Sequence, residues 1–97
     1  MVFHVYLLAC ADGSYYVGHT DNLEMRLGQH QTGACQGYTH SRLPVVLLKA
    51  EGFETREEAL GAEMRLKGWS RAKKEAWVNG DFALLKLLAK KDFSRRG

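Results

Sequence analysis

A turn-forming segment near the start of the chain constrains the fold more than any other feature of the sequence. Ala11, Asp12 and Gly13 separate a run rich in Val, Phe, Tyr and Leu at 2–10 from a second aromatic and β-branched run at 14–19. Each run is too short for a capped helix and has the composition of a strand. The sequence therefore predicts two antiparallel strands joined by a tight turn.

The type of this turn decides which side chains share a face of the sheet. If Gly13 takes the left-handed position of a three-residue loop, the numbers of opposed residues sum to 24, so that Tyr6 faces Gly18 and Leu8 faces Tyr16. Tyr6 and Tyr16 are then diagonal neighbours on one face. A two-residue turn would reverse the parity and separate the two tyrosines.

Capping signals divide the rest of the chain into further elements. Asp21 with Glu24 predicts a helix that ends at Gly33 and buries Leu23 and Leu27. A long polar loop at 33–43 and Pro44 then lead into a third strand at 45–48.

Three more helices are predicted in the second half. Thr55 with Glu58 forms a second capping box, for a helix that reaches about Gly68. Ser70 caps a helix that reaches about residue 79, and Asp81 opens a last one over about 82–90.

The size and composition of the chain fit a single globular domain over residues 1–97. The sequence is 45% hydrophobic and 26% charged with one Pro, which excludes collagen-like and disordered classes. The two cysteines, Cys10 and Cys35, form no CxxC motif, so we expect no disulfide framework and no cysteine-based zinc site. We therefore expect a cytoplasmic protein with reduced thiols, and no segment is long and apolar enough to span a membrane.

Positive charge is concentrated in the second half of the chain. The net charge is +3, and five basic residues follow one another there without an intervening acid: Arg65, Lys67, Arg71, Lys73 and Lys74. Such a stretch is either a solvated helix surface or the electrostatic footprint of a polyanion. We take it as the candidate nucleic-acid-binding segment.

A glutamate and two residues of the first helix are candidates for chemistry. Glu63 stands beside the apolar period of its helix, which is formed by Ala59, Leu60, Met64 and Leu66. It is either a boundary residue paired with Lys67 or a ligand of Mg²⁺ or Mn²⁺, since one carboxylate with phosphate oxygens and waters commonly holds Mg²⁺. Arg26 and His30, four residues apart on one side of their helix, are either solvated or available to a phosphate and to acid–base chemistry.

The order of these residues resembles the GIY-YIG nuclease family. The resemblance is carried by His4-Val5-Tyr6, Tyr16-Val17-Gly18, Arg26, His30 and Glu63, and it spans residues 2–80. Two further segments resemble those of the small single-domain branch of the family: Gly37-Tyr38-Thr39 through Arg42 and Pro44, and Leu66-Lys67-Gly68-Trp69. His4 in place of the first motif glycine and His19 after the second motif depart from the family pattern.

The resemblance implies an α/β (α+β) fold, a three-stranded antiparallel sheet flanked by helices with the first strand central. It also implies a phosphodiesterase site that uses Mg²⁺ or Mn²⁺ and a nucleic-acid substrate. DNA is our first hypothesis for this substrate, and RNA stays open. From the same resemblance we expect one of the phenols of Tyr6 and Tyr16, or a water held by it, to take or position the proton of the nucleophile, and we expect Gly18 to permit close approach. The resemblance likewise implies that Arg26 stabilises charge on the phosphate, that His30 is a supporting polar group and that Glu63 is the metal ligand.

We consider three functional hypotheses. The first is a metal-dependent DNA endonuclease of DNA repair or processing, in which Tyr6, Tyr16, Arg26 and Glu63 converge on one shallow groove with His30 at its rim. The second is a nucleic-acid-binding module on the same fold with a vestigial catalytic site. The third is a protein-interaction domain whose partner surface consists of Trp69, Trp77, Leu84, Leu85 and Leu88.

Overall fold

The computed structural model describes residues 2–33, 39 and 41–88 of the chain. These residues form the predicted α+β arrangement, a three-stranded antiparallel sheet with helices. Its elements are β1 (Phe3–Cys10), β2 (Tyr15–Thr20), α1 (Leu23–Thr32), β3 (Val45–Phe53), α2 (Arg56–Lys67) and α3 (Arg71–Val78), followed by a helical segment at 82–88. The family-like pair Gly37-Tyr38 lies outside the described residues.

The strand order is β2-β1-β3, so the first strand is central, as the sequence predicts. Gly13 has a φ of 85°, the left-handed conformation that a three-residue loop requires. The register is the predicted one, because Tyr6 pairs with Gly18 and Leu8 pairs with Tyr16. Both tyrosines therefore point to the same face of the sheet.

The third strand is longer than the predicted 45–48. It continues through polar residues to Phe53 and pairs antiparallel with the central strand until Phe53 meets Phe3. The strand extends because β1 supplies hydrogen-bond partners for the backbone N–H and C=O groups of β3 beyond residue 48. The side-chain pattern of the sequence does not indicate such pairing. A register shift between Leu7 and Leu8 accompanies this pairing.

The helix caps agree with the sequence prediction in three cases and differ in one. Asp81 opens the last helix as predicted, because its Oδ1 accepts from the Leu84 amide at 3.0 Å. Thr55 caps α2 as predicted, because its hydroxyl accepts from the Glu58 amide at 3.2 Å and donates to Glu58 Oε1, and the Ser70 side chain accepts from the backbone of α3. The cap of α1, however, is Asn22 rather than Asp21, since the Asn22 side-chain oxygen accepts from the Met25 amide at 3.2 Å. Both residues suit the position, and only the backbone geometry chooses between them.

The chain divides after Lys67 into two compact units. In the first unit the α1 side of the sheet buries Tyr6, Leu8 and Cys10, against which Leu23 and Leu27 of α1 pack. The prediction of a single domain over residues 1–97 stays a prediction.

The apolar period predicted for α2 is partly wrong. Leu60 and Met64 are exposed, whereas Ala59, Glu63 and Leu66 are the buried residues of this helix. Glu63 thus lies within the buried stripe and not beside it, because the packed surface of the helix follows positions i, i+4 and i+7.

The second unit contains α3 and the segment 82–88. Trp77 is only 6% exposed and Ala76 only 2%. Trp77 is therefore buried and does not contribute to the partner surface that the third hypothesis requires, although Leu84 remains exposed. Within the described part of the chain, no helix combines the length and the apolar character needed to cross a membrane.

Candidate active site

Two tyrosines and a histidine form the centre of the candidate site. The Tyr6 hydroxyl lies 2.9 Å from His30 Nε2, within hydrogen-bond distance. The Tyr16 ring centroid is 5.1 Å from that of His30 and 6.3 Å from that of Tyr6. The hairpin brings the tyrosines together, and α1 adds the histidine above them.

Gly18 lies directly beneath this cluster. A Cβ atom at this position would be 2.6 Å from Tyr6 Oη, 2.7 Å from Tyr6 Cζ and 3.1 Å from Tyr16 Cε2. Two of these distances are far shorter than carbon contacts allow, so the two rings can occupy their positions only because residue 18 has no side chain. Gly18, the glycine of the second motif, thus leaves the space in which the two tyrosine rings pack.

His30 is buried in the centre of the cluster, and the expectation that it lies at a rim is wrong. Its exposed fraction is 1%, and the rings of Tyr6 and Tyr16 and the Thr39 hydroxyl lie against the imidazole. The second ring nitrogen, Nδ1, lies 2.7 Å from the Thr39 hydroxyl. Both nitrogens of His30 therefore have protein partners, which is the arrangement that a buried histidine needs.

Arg26 lies one helical turn before His30 and brings positive charge to the cluster. Burial lowers the pKa of His30, and the Arg26 guanidinium lowers it further. At neutral pH the imidazole is consequently uncharged, whereas the Arg26 guanidinium beside it is positively charged. Tyr16 and Arg26 are half-buried, whereas Tyr6 is only 1% exposed.

Glu63 is held on α2 by two basic partners. His19 Nδ1 donates to Glu63 Oε1 at 2.8 Å, and Lys67 Nζ lies 3.2 Å from Oε2. Burial by itself raises the pKa of Glu63, but the hydrogen bonds and charges of His19 and Lys67 outweigh it and hold this pKa below its usual value. Glu63 is therefore an ionised carboxylate despite an exposed fraction of 8%.

The tyrosine cluster and the contact between His19 and Glu63 lie on opposite faces of the edge strand β2. Gly18 and His19 are consecutive, so their side-chain positions alternate across the sheet, with the tyrosine cluster on one face and the bond to Glu63 on the other. The structure thus brings Tyr6, Tyr16, Arg26 and His30 together and places the contact of Glu63 on the other face of the edge strand. The prediction that Glu63 converges with the two tyrosines and Arg26 on one groove is wrong.

The candidate nucleic-acid-binding residues are divided between the two units. Arg65 and Lys67 are exposed on the last turn of α2. On α3, Arg71 pairs with Glu75 at 3.4 Å, and Lys73 Nζ stands 5.2 Å from the centre of the Trp69 ring. Lys74 is half-buried.

A divalent metal has a single carboxylate available in this site. No group of three or more His, Cys, Asp or Glu side chains that could hold a metal occurs in the described ranges 2–33, 39 and 41–88. Glu63 alone still fits Mg²⁺ or Mn²⁺, because its carboxylate is ionised and each oxygen has lone pairs beyond the one used by His19 or Lys67. Substrate phosphate and water would have to supply the remaining ligands.

The chain matches a known protein family over the residues of the candidate site. The family model of the GIY-YIG catalytic domain matches residues 2–76, which include the tyrosine cluster and the contact of Glu63 with His19 and Lys67. The chain belongs to the GIY-YIG family. Membership gives it a nuclease-like domain and implies a nucleic-acid substrate; nucleases of this family are in general dependent on divalent metals.

Relatives of similar size occur in bacteria and archaea. The chain is 45% identical over 76 residues to a UPF0213 protein of Streptococcus pneumoniae, covering 78% of this chain and 77% of the relative. It is 44% identical over 73 residues to a UPF0213 protein of Halobacterium salinarum, covering 75% of this chain and 95% of the relative.

Two solved structures resemble the fold. A solution structure of an E. faecalis protein superposes with a TM-score of 0.59 at 36% identity, covering 86% of this chain and 88% of that one. A solution structure of a UPF0213 protein of Bacillus halodurans gives a TM-score of 0.54 at 39% identity, covering 81% and 84%.

Two residues of the site were missed by reasoning from the sequence. His19, regarded as a departure from the family pattern, binds the family glutamate, and Thr39 binds the buried histidine. Neither has a spacing signal, since 44 positions separate His19 from Glu63 and 9 separate His30 from Thr39. Of the two readings of Glu63, the pairing with Lys67 is present in the structure.

Proposed function

We propose that this GIY-YIG protein is a divalent-metal-dependent DNA endonuclease of DNA repair or processing. The observation that carries the proposal is the packing of Tyr6, Tyr16 and His30 around Gly18. This arrangement holds two phenols and an imidazole in contact with one another and requires a glycine beside them. Apolar side chains would fill the same space without needing hydrogen-bond partners, so packing alone does not account for these residues.

The exposure of the two tyrosines supports different roles for them. Tyr16 is half-buried and can reach a bound phosphodiester, whereas Tyr6 is enclosed and hydrogen-bonded to His30. We assign to Tyr16 the positioning or deprotonation of the nucleophile and to Tyr6 the support of the cluster. Arg26, with its planar set of donors, is suited to the charge that develops on the phosphate.

Glu63 is the residue that would hold the metal. Its carboxylate stays ionised and is bound to His19, the residue that follows Gly18 in the edge strand β2. A phosphodiester lying across the edge strand could therefore meet both groups. The chemistry that a bound cation supplies is charge at the leaving oxygen and a more acidic water.

The start of α3 supports binding of a polyanion. Its first turn contains Arg71 and Lys73 and has no acidic residue. Cations at a helix N-terminus oppose the helix dipole and cost up to about 1 kcal/mol each. An approaching phosphate relieves this repulsion, so we propose that Arg71, Lys73 and Lys74, and in the first unit Arg65 and Lys67, contact the DNA backbone.

One observation favours the alternative of a DNA-binding module with a vestigial site. Both oxygens of Glu63 are already engaged by His19 and Lys67, and the side chain is largely buried. A metal would have to share these oxygens or displace a partner. A protein that uses Glu63 only for this internal pairing would bind DNA without cutting it.

Cleavage assays with matched variants test the proposal. The substrates are nicked, flapped, branched and duplex DNA, each with and without Mg²⁺ or Mn²⁺. Loss of one charge-stabilising group commonly costs a factor of about 10² to 10³ in rate, so Arg26→Ala and Glu63→Gln should reduce cleavage to background. Glu57→Gln, on an exposed turn of the same helix, is the control and should cleave as the wild type does.

The outcomes separate the two functions. Metal-dependent cleavage that is lost in both site variants and kept in Glu57→Gln supports the endonuclease. Cleavage that survives both site variants refutes the site, and a wild type that binds every substrate but cuts none refutes the endonuclease in favour of the binding module.

A further inference from the structure

The proton arrangement around His30 follows from its two hydrogen-bond partners. Burial and the nearby Arg26 keep the ring neutral, so only one of its nitrogens bears a proton. If Nδ1 is protonated, it donates to Thr39 and the ring accepts from Tyr6. If Nε2 is protonated, it donates to Tyr6 and the ring accepts from Thr39.

The Thr39 hydroxyl decides between these tautomers. Thr39 is 1% exposed, and among the described residues His30 Nδ1 is the partner of its hydroxyl oxygen, at 2.7 Å. A hydroxyl that accepted from Nδ1–H would leave its own buried proton without an acceptor among the residues that the structure describes, which costs about 1–3 kcal/mol. A hydroxyl that donates to Nδ1 satisfies both groups.

We propose that Thr39 is a positioning residue that holds His30 in the Nε2–H tautomer, so that His30 donates a hydrogen bond to the phenol oxygen of Tyr6. In this arrangement His30 has no free lone pair facing Tyr6 and does not act as its base. The proton of the Tyr6 hydroxyl is instead directed away from His30. Tyr6, which is as buried as Thr39, makes a further interaction besides this hydrogen bond. The consequence for cleavage rests on the proposed nuclease function, whereas the tautomer itself does not.

The backbone around Thr39 is anchored for this role. The Arg42 amide donates to the Thr39 carbonyl at 3.0 Å, and the Arg42 carbonyl accepts from the Ala11 amide at 2.9 Å. The Arg42 side chain also donates from Nε to Asp12 Oδ2 at 2.9 Å. The turn between the first two strands thus fixes Arg42, whose amide is bound to the Thr39 carbonyl, and this helps to place the Thr39 hydroxyl against the buried ring.

Nitrogen NMR of the imidazole rings tests the proposal directly. At a pH well above 6.5, the ordinary histidine pKa, long-range ¹H–¹⁵N spectra should show a protonated, pyrrole-type Nε2 and an unprotonated, pyridine-type Nδ1 for one ring. Loss of these signals in His30→Gln assigns them. A pyrrole-type Nδ1 in the wild type overturns the proposal without any variant.

Variants at Thr39 add a second test. Thr39→Val keeps the shape of the side chain but removes the donor, so both His30 nitrogens should shift toward the average of the two tautomers. Thr39→Ser retains the hydroxyl and should restore the wild-type shifts. Unchanged shifts in a folded Thr39→Val overturn the proposal, and the wild-type spectrum still decides if this variant does not fold.

The cleavage assay then connects the tautomer to function. Thr39→Val should lower kcat by about tenfold with KM nearly unchanged, and Thr39→Ser should recover most of the rate. An Nε2–H tautomer combined with full activity in Thr39→Val would refute the positioning role alone. Absence of any wild-type cleavage, with the same tautomer, would refute the proposed nuclease and leave the Thr39–His30 assignment standing.

Discussion

Replacing Gly18 by alanine tests the geometry on which the whole site depends. The added methyl group would stand 2.6 Å from Tyr6 Oη and 2.7 Å from Tyr6 Cζ. The Tyr6 ring cannot yield easily, because it is 1% exposed and its hydroxyl is hydrogen-bonded to His30 at 2.9 Å. Gly18→Ala should therefore displace the ring and break this bond.

The magnitude follows from three effects. Overpacking of a dense core costs about 1–3 kcal/mol, and leaving the partners of a buried hydrogen bond unsatisfied costs about 1–3 kcal/mol. These two costs are not fully additive, since the ring movement that breaks the bond also relieves the clash. The smaller conformational entropy of alanine in the unfolded chain offsets about 0.5–1 kcal/mol. We expect a net loss of about 2 kcal/mol in the free energy of unfolding.

The chain offers two matched controls. Gly28 in α1 and Gly61 in α2 are helical, and a Cβ at either position would meet nothing within 4 Å. Gly28→Ala and Gly61→Ala should each raise the free energy of unfolding by about 0.5–1 kcal/mol. Opposite signs for the same chemical change would isolate the contact with Tyr6 as the cause.

Urea unfolding followed by far-ultraviolet circular dichroism measures all three variants. The midpoint of Gly18→Ala should fall while the slope stays that of the wild type. A second measurement, the double variant with Tyr6→Phe, should lose less than the sum of the single losses, because the hydrogen bond to His30 can be lost only once. Stability of Gly18→Ala equal to that of the wild type would refute the packing described here.

Two further predictions concern protons and salt. Burial and Arg26 lower the pKa of His30 in the folded state below 6.5, so the unfolded chain takes up the His30 proton first as the pH falls. The contribution of His30 to the free energy of unfolding should therefore be full above pH 6.5 and should be lost between pH 6.5 and the lower pKa of the folded state. Urea titrations at several pH values should show this loss in the wild type and not in His30→Gln, and equal pH dependence in both would contradict it. Neutralising Lys73 and Lys74 with glutamine should make the slope of log K for DNA against log salt shallower by about 1.8, through counterion release, whereas Lys86→Gln should leave it unchanged. Fluorescence anisotropy over a salt series measures the slopes, and an unchanged slope in the double variant would place the DNA elsewhere.

Local rules in the sequence predict much of the frame of the site. The turn at Gly13 sets the register of the hairpin, and the register places Tyr6 and Tyr16 on one face with Gly18 beneath them. The capping residues Thr55 and Ser70 likewise mark where α2 and α3 begin. These features can be read from the chain because the residues that decide each of them lie within a few positions of one another.

The partners within the site were decided by the tertiary structure. The depth of His30, its bond to Thr39 and the pairing of His19 with Glu63 join elements that are distant in the chain. Periodicity could not distinguish Glu63 from the exposed Met64 as the inward residue of α2, since either suits a helix boundary. A sequence specifies the face of a helix or strand on which a side chain lies, but the atoms that meet there depend on how the packed elements satisfy their buried polar groups together.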